Sequence, residues 1–182
     1  MKQVLLLNSG GPDCACIAKR LKDDGLDIVS VYVDTLQSNR FEAMRAAEIT
    51  AQHWCLVHNV VPIDFGMSTT TKPDNTWLAA PFLIPLLISI GATYASLRKI
   101  PEVYFGFRKV MRDGWWDEAK RWVVTPHGHF FPEANFPIHD MSRGETLAWA
   151  GLTMADLSWT VSCNVSPACG ECRKCQERKE SE

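Results

Sequence analysis

The chain carries residues that could do chemistry near each of its ends. The first set is Asn8-Ser9-Gly10-Gly11-Pro12-Asp13. It follows an apolar run, Val4 to Leu7, and precedes Ala15, Ile17, Ala18 and Leu21, which recur at helical spacing. A strand that turns on two glycines into a helix leaves unpaired backbone N–H groups at the positive end of the helix dipole, where phosphate binds. Gly10 and Gly11 let an anion approach the backbone. Pro12 suits the first helical turn, which has no use for its missing N–H. The stretch has neither the Gly-Lys-Ser/Thr of a P-loop nor the spacing G-x-G-x-x-G. By its spacing alone it also reads as an ordinary βα turn.

The second set is Cys163, Cys169, Cys172 and Cys175, separated by five, two and two residues. Two overlapping C-x-x-C turns share Cys172, and thiolates so spaced can close a tetrahedral zinc site of structural type. Lys174, Arg173 and Arg178 would offset its negative charge. An iron–sulfur cluster or disulfides would use the same four sulfurs. Zinc is preferred because a short tail buries little core and metal ligation would fold it. Cys16 and Cys55 read as small buried apolar residues.

Lesser candidates lie between. Asp34 ends a second apolar run, Ile28 to Val33, and its carboxylate could accept from a ribose hydroxyl or an adenine amino group; a helix N-cap or turn would use it equally. His127 and His129 lack a third ligand at a recognised spacing and read better as loop residues than as metal ligands. Ser142 and Glu145 form a capping box. Arg143 between them opposes the helix dipole, which hints at an anion nearby.

The elements that must position these residues follow from periodicity. Helices are expected from Pro12 to about Gly25, over Arg40–Trp54, over Pro85–Leu97 and from Ser142, with strands at Val4–Leu7, Ile28–Val33, Leu56–Ile63, Glu102–Gly106 and Trp122–Val124. Strand and helix alternate, which argues for an α/β class, doubly wound and mostly parallel. Ser68 to Asn75 reads as a polar loop at the edge of a site. Trp115, Trp116 and Trp122 suit a core or pocket wall. The division expected is an α/β domain over 1–160 and a four-cysteine tail over 161–182.

The 182 residues, 46% hydrophobic and 22% charged, suffice for one real core, and a net charge of −2 gives no general attraction to nucleic acid or anionic membrane. Leu78 to Ala95 is interrupted by Pro81, Pro85, Ser89, Gly91 and Thr93, so it reads as a buried helix rather than a membrane span. No secretory signal is visible. With seven Cys, four of them in the last 20 residues, a reducing, cytoplasmic setting is expected.

Ser9-Gly10-Gly11-x-Asp13 after a terminal strand resembles the pyrophosphate loop of the ATP-pyrophosphatase (PP-loop) superfamily. Together with Asp34, Gln37 and Glu42, the strand-ending Gly106, the segment Pro137-Ile138, Asp140, Ser142, Arg143, Glu145, and Trp159 to Cys163 with the three later cysteines, it resembles the 7-cyano-7-deazaguanine synthase family of the queuosine pathway. This sequence has Cys14 where the family has Ser, Arg143 where it has Lys, Gly106-Phe107-Arg108 where it has Gly-Val-Asn, and no Arg-Asn pair near Ala80-Pro81-Phe82. The resemblance implies an adenine nucleotide alpha hydrolase-like fold and an ATP-dependent ligase that makes a nitrile from a 7-carboxy-7-deazaguanine and ammonia. It implies ATP and Mg²⁺ at Ser9, Gly10, Gly11, Asp13, Cys14, Asp34 and Gly106, catalysis by Asp13 and Arg143, and Zn²⁺ on the four cysteines. The partners implied are small molecules, with a homodimer left open. Other readings are adenylation of another acceptor, as in RNA thiolation or attachment of a deazaguanine to a macromolecule, and an inactive nucleotide- or partner-binding protein.

Overall fold

The computed structural model describes residues 2–35, 39–63, 80–108, 132–163 and 168–180. Gln37, Ser68 to Asn75, Trp115, Trp116, Trp122 to Val124, His127 and His129 lie outside them.

Five strands form one sheet: β1 (Gln3–Leu7), β2 (Asp27–Asp34), β3 (Val57–Pro62), β4 (Glu102–Phe105) and β5 (Glu133–Asn135). Their order is β3-β2-β1-β4-β5 and every ladder is parallel. The chain therefore winds outward from β1 in one direction, then returns to the other side at β4. This reversal opens a crevice beyond the C-terminal ends of β1 and β4, where ligands of such sheets bind.

The helices are α1 (Pro12–Asp23), α2 (Arg40–Trp54), α3 (Ala80–Arg98), α4 (Arg143–Ala150) and α5 (Arg173–Lys179). β1 is buried on both faces, as its unbroken apolar run requires. Leu5 and Leu7 point to α3, where Ile84, Ile88, Ala92 and Ala95 repeat along one stripe. Val4 and Leu6 point the other way, to Ile17, Ala18 and Leu21 of α1. Tyr32 packs on Ala43 and Ala47 of α2. Ala15 and Cys16 of α1 pack on Leu147 and Ala150 of α4.

Helix ends follow the sequence signals. At the end of α1, Gly25 N–H bonds to Lys22 O at 3.0 Å and Leu26 N–H to Leu21 O at 3.1 Å, a Schellman motif. At the start of α4 the Ser142–Glu145 capping box is formed in both directions, at 3.2 and 2.7 Å. Two elements differ from expectation. α3 starts at Ala80 with Pro85 inside it, because its apolar stripe on the sheet outweighs one missing N–H. β5 has no apolar run and owes its strand geometry to pairing with β4. Among the described residues no helix is long and apolar enough to cross a membrane.

Candidate functional site

The loop that leaves β1 is held by side chains and backbone from three other segments. Asn8 is buried; its Nδ2 donates to Ser30 Oγ at 3.1 Å and Ala47 O at 3.0 Å. Its Oδ1 accepts from the Gly10 N–H at 3.0 Å, and Gly10 O accepts from the Val161 N–H at 3.0 Å. Gly10 has φ +75°, and a Cβ there would lie 2.2 Å from Ala43 O, so both conformation and packing require glycine. Gly11 is the N-cap of α1 and Pro12 its first residue. Ser9, Gly10 and Gly11 thus cross the mouth of the switch-point crevice at the positive end of a 12-residue helix.

Cys14 lies behind this loop, not in front of it. Its thiol donates to Leu7 O at 3.5 Å, sits 3.4 Å from Ser9 Oγ and is 2% exposed. Burial above all pushes its pKa up, so it is a neutral thiol. Gly106 passes directly over it: a Cβ at Gly106 would come within 2.7 Å of Cys14 Sγ. Asp34 ends β2 on the same C-terminal edge of the sheet, and its backbone O accepts from Ile63 at 2.9 Å. Glu42 is an exposed residue in the first turn of α2.

Asp13, in the first turn of α1, belongs to a buried charge cluster. Its Oδ2 accepts from Arg108 Nε at 3.1 Å, and its Oδ1 lies 3.5 Å from Arg143 Nη1. Glu177 of α5 accepts from Arg108 Nη2 at 2.5 Å and lies 3.9 Å from Arg143 Nη2. The two arginines are not equally served. Burial lowers the pKa of both, but for Arg108 the two carboxylates outweigh it and the pKa is raised. For Arg143 burial wins and the pKa is lowered, despite Asp13. Arg143 Nε and Nη1 are buried and find no hydrogen-bond acceptor among the described residues. The arrangement can therefore receive an anion beside the loop.

The four tail cysteines converge. Their sulfurs all lie within 4.8 Å of one another, with Cys163 Sγ 3.6 Å from Cys169 Sγ and 3.9 Å from Cys172 Sγ. One tetrahedral ion with metal–sulfur bonds of ~2.3 Å sets its sulfurs about 3.8 Å apart. The separations fit a single ion. A four-iron cluster would need them wider, since each thiolate would hold a different corner. Backbone N–H groups of Cys169 and Cys172 donate to Cys163 Sγ and Cys169 Sγ at 3.5 and 3.4 Å. Such bonds, with the N–H of Glu171 foremost, bring the Cys169 pKa down to about 6. Cys163 O accepts from Asn39 Nδ2 at 2.6 Å, which ties this centre to the start of α2. Arg178 donates to Thr160 O at 2.6 Å and Ser158 O at 3.3 Å, bracing the approach to the centre.

Ser9, Gly10, Gly11, Asp13, Cys14, Gly106 and Arg143 thus gather at one crevice, with the four cysteines behind it. Asn8 and Arg108, quoted in the sequence motifs without a role, join them, as does Glu177. A polar Asn closing an apolar strand was a usable sign; nothing local marks Glu177, which meets Arg108 across 69 positions of sequence.

No family model matches the chain. Curated relatives named 7-cyano-7-deazaguanine synthase include that of Methylobacillus flagellatus, 22% identical over 98% of this chain and 90% of its own length. A 7-cyano-7-deazaguanine synthase 1 of Sphingopyxis alaskensis is 27% identical over 98% of this chain and 92% of its own length. Among solved structures, the U34-tRNA thiolase NcsA from Methanococcus maripaludis with its [4Fe-4S] cluster matches 99% of the chain with a TM-score of 0.65 and 17% identity. The chain spans 63% of that thiolase. NMN synthetase from Francisella tularensis matches 97% of this chain and 81% of its own, with a TM-score of 0.58 and 15% identity. The fold is the adenine nucleotide alpha hydrolase-like fold of the PP-loop enzymes, and the likeness to deazaguanine synthases read from the sequence is borne out by these relatives.

Proposed function

We propose that the chain is a cytoplasmic ATP-dependent ligase that converts a 7-carboxy-7-deazaguanine and ammonia to the nitrile. The observation that carries this is the glycine turn at the switch point with buried Arg143 donors beside it. Backbone N–H groups of Ser9 to Gly11 hold the β- and γ-phosphates of ATP, and Asp34 orients the nucleoside. The substrate carboxylate oxygen attacks the α-phosphorus, pyrophosphate leaves, and an acyl adenylate forms. Ammonia adds to the carbonyl carbon, AMP leaves and an amide results. A second ATP adenylates the amide oxygen, and loss of AMP with two protons gives the nitrile. Arg143 stabilises the charge that develops on phosphate in each adenylation. Magnesium bound with ATP would screen the pyrophosphate charge; Asp13 Oδ1, which accepts no hydrogen bond among the described residues, is the site oxygen that would suit it. Zinc in the tail plays no chemical part, since four thiolates leave no open position.

Purified protein with ATP, Mg²⁺, ammonia and the carboxy-deazaguanine should release pyrophosphate and yield nitrile by mass. ATP binding without turnover on this substrate would refute the reading. A thiolase-like role has the fold of the Methanococcus enzyme in its favour, but the buried, neutral Cys14 thiol is poorly placed to carry sulfur to an acceptor.

A further inference from the structure

Arg108, three residues beyond β4, and Arg143, at the start of α4, meet different oxygens of Asp13. One oxygen of Glu177 lies between the two guanidinium groups, 2.5 Å from Arg108 Nη2 and 3.9 Å from Arg143 Nη2. A phosphate oxygen is held in the same manner, by N–H groups of two arginines. Both arginine side chains are about nine-tenths buried, at 11% and 8% exposure. Two buried guanidinium groups call for two counter-charges when no ligand is bound; Asp13 supplies one and Glu177 the second.

Two details distinguish an anion site from a finished structural brace. The buried Nε and Nη1 of Arg143 have no hydrogen-bond acceptor among the described residues, although a completed brace would satisfy them. Oε2 of Glu177 is also shared unequally between the two arginines, at 2.5 Å from Arg108 Nη2 and 3.9 Å from Arg143 Nη2, the latter beyond hydrogen-bond reach. We propose that Arg108 is a phosphate-binding residue of this loop and that Glu177 is a positioning residue, standing in for a phosphate oxygen until the nucleotide displaces it. The inference rests on the loop being the ATP site. It makes α5, which begins at the thiol centre, the element that sets how firmly the loop is closed against anions.

The test is calorimetric titration of the metal-loaded protein with Mg²⁺–ATP and with inorganic pyrophosphate. Arg108→Gln should weaken both by about tenfold, as loss of a charge-assisted pair does. Glu177→Gln should tighten pyrophosphate binding by about fivefold, because the internal competitor is gone. Glu180→Gln removes the same charge from the exposed end of α5 and should change affinity by less than about twofold. Native affinity in Arg108→Gln, or unchanged or weaker binding in Glu177→Gln, overturns the proposal. Should Arg108→Gln fail to fold, Glu177→Gln decides alone. Native protein that binds neither ligand fells the ATP reading itself; native binding with no gain in Glu177→Gln overturns this proposal and leaves the ATP reading standing.

Discussion

Cysteines flank the same loop in two different states. Cys14 lies beneath it, pressed between the ends of β1 and β4, with Leu7 O and Ser9 as neighbours. Cys163, Cys169, Cys172 and Cys175 lie beyond it, joined through Val161, whose N–H bonds to Gly10 O at 3.0 Å. Burial makes the first a packing atom with a raised pKa. Convergence of sulfurs, with backbone N–H groups aimed at them, gives the second the geometry of a metal-binding site. The chemistry of a thiol is set by what surrounds it rather than by its nearness to a functional loop.

The largest effect is expected from breaking the tail. Cys163→Ser removes a ligand at the point where Asn39 and Val161 fasten the tail to the rest of the fold. Bound metal should fall well below one ion per chain, with a stability loss of about 3 kcal/mol or more. Elemental analysis and thermal melts read both. Stoichiometric metal and an unshifted melt would erase the distinction between the two cysteine environments.

The loop side breaks through packing instead. Gly106→Ala places a methyl 2.7 Å from Cys14 Sγ and should cost about 2 kcal/mol. Adding Cys14→Ala should recover part of that loss, since the clash is with sulfur. A double-mutant cycle by urea denaturation measures the coupling; strictly additive effects would show that Cys14 does not fill this contact.

Alkali sharpens the contrast further. Cys16, on the same helix as Cys14, has its pKa pushed from 9.0 to about 12, chiefly by burial and then by Asp13. The fold favours its neutral thiol. The contribution is therefore whole below pH 9, and it declines as pH rises toward 12. At pH 10 the native protein should have lost about 1 to 2 kcal/mol through this group. Cys16→Ala should show a shallower decline in melting temperature between pH 9 and 11; parallel curves would contradict the assignment.

The same contrast explains what could be read from the sequence. β1, β2 and β4 were legible because apolar runs bounded by glycine or polar residues leave few other choices, and α1 and α4 because their caps are local. The thiol centre was legible because its ligands are close in the chain. β5 was not, since Glu133 to Asn135 becomes a strand only through its neighbour. The Asp13–Arg108 pair spans 95 positions, and long-range ion pairs leave no periodic trace. Arg143 shows both sides: its awkward place in a first helical turn was visible, while the carboxylates that answer it were not.

The smallest expected effect is the most telling for the loop. Cys14→Ser exchanges a weak donor for a strong one at a position that the resemblance assigns to nucleotide binding. In this structure the side chain faces Leu7 O at 3.5 Å, so a hydroxyl keeps an acceptor and stability should change by no more than about 1 kcal/mol. Because the group points inward, ATP affinity should stay within about twofold of native. Titration calorimetry on the two proteins decides it. A tenfold change in either direction would mean that residue 14 touches the nucleotide. The inward thiol would then be a ligand-facing group, and the separation between the two kinds of cysteine would lose its physical basis.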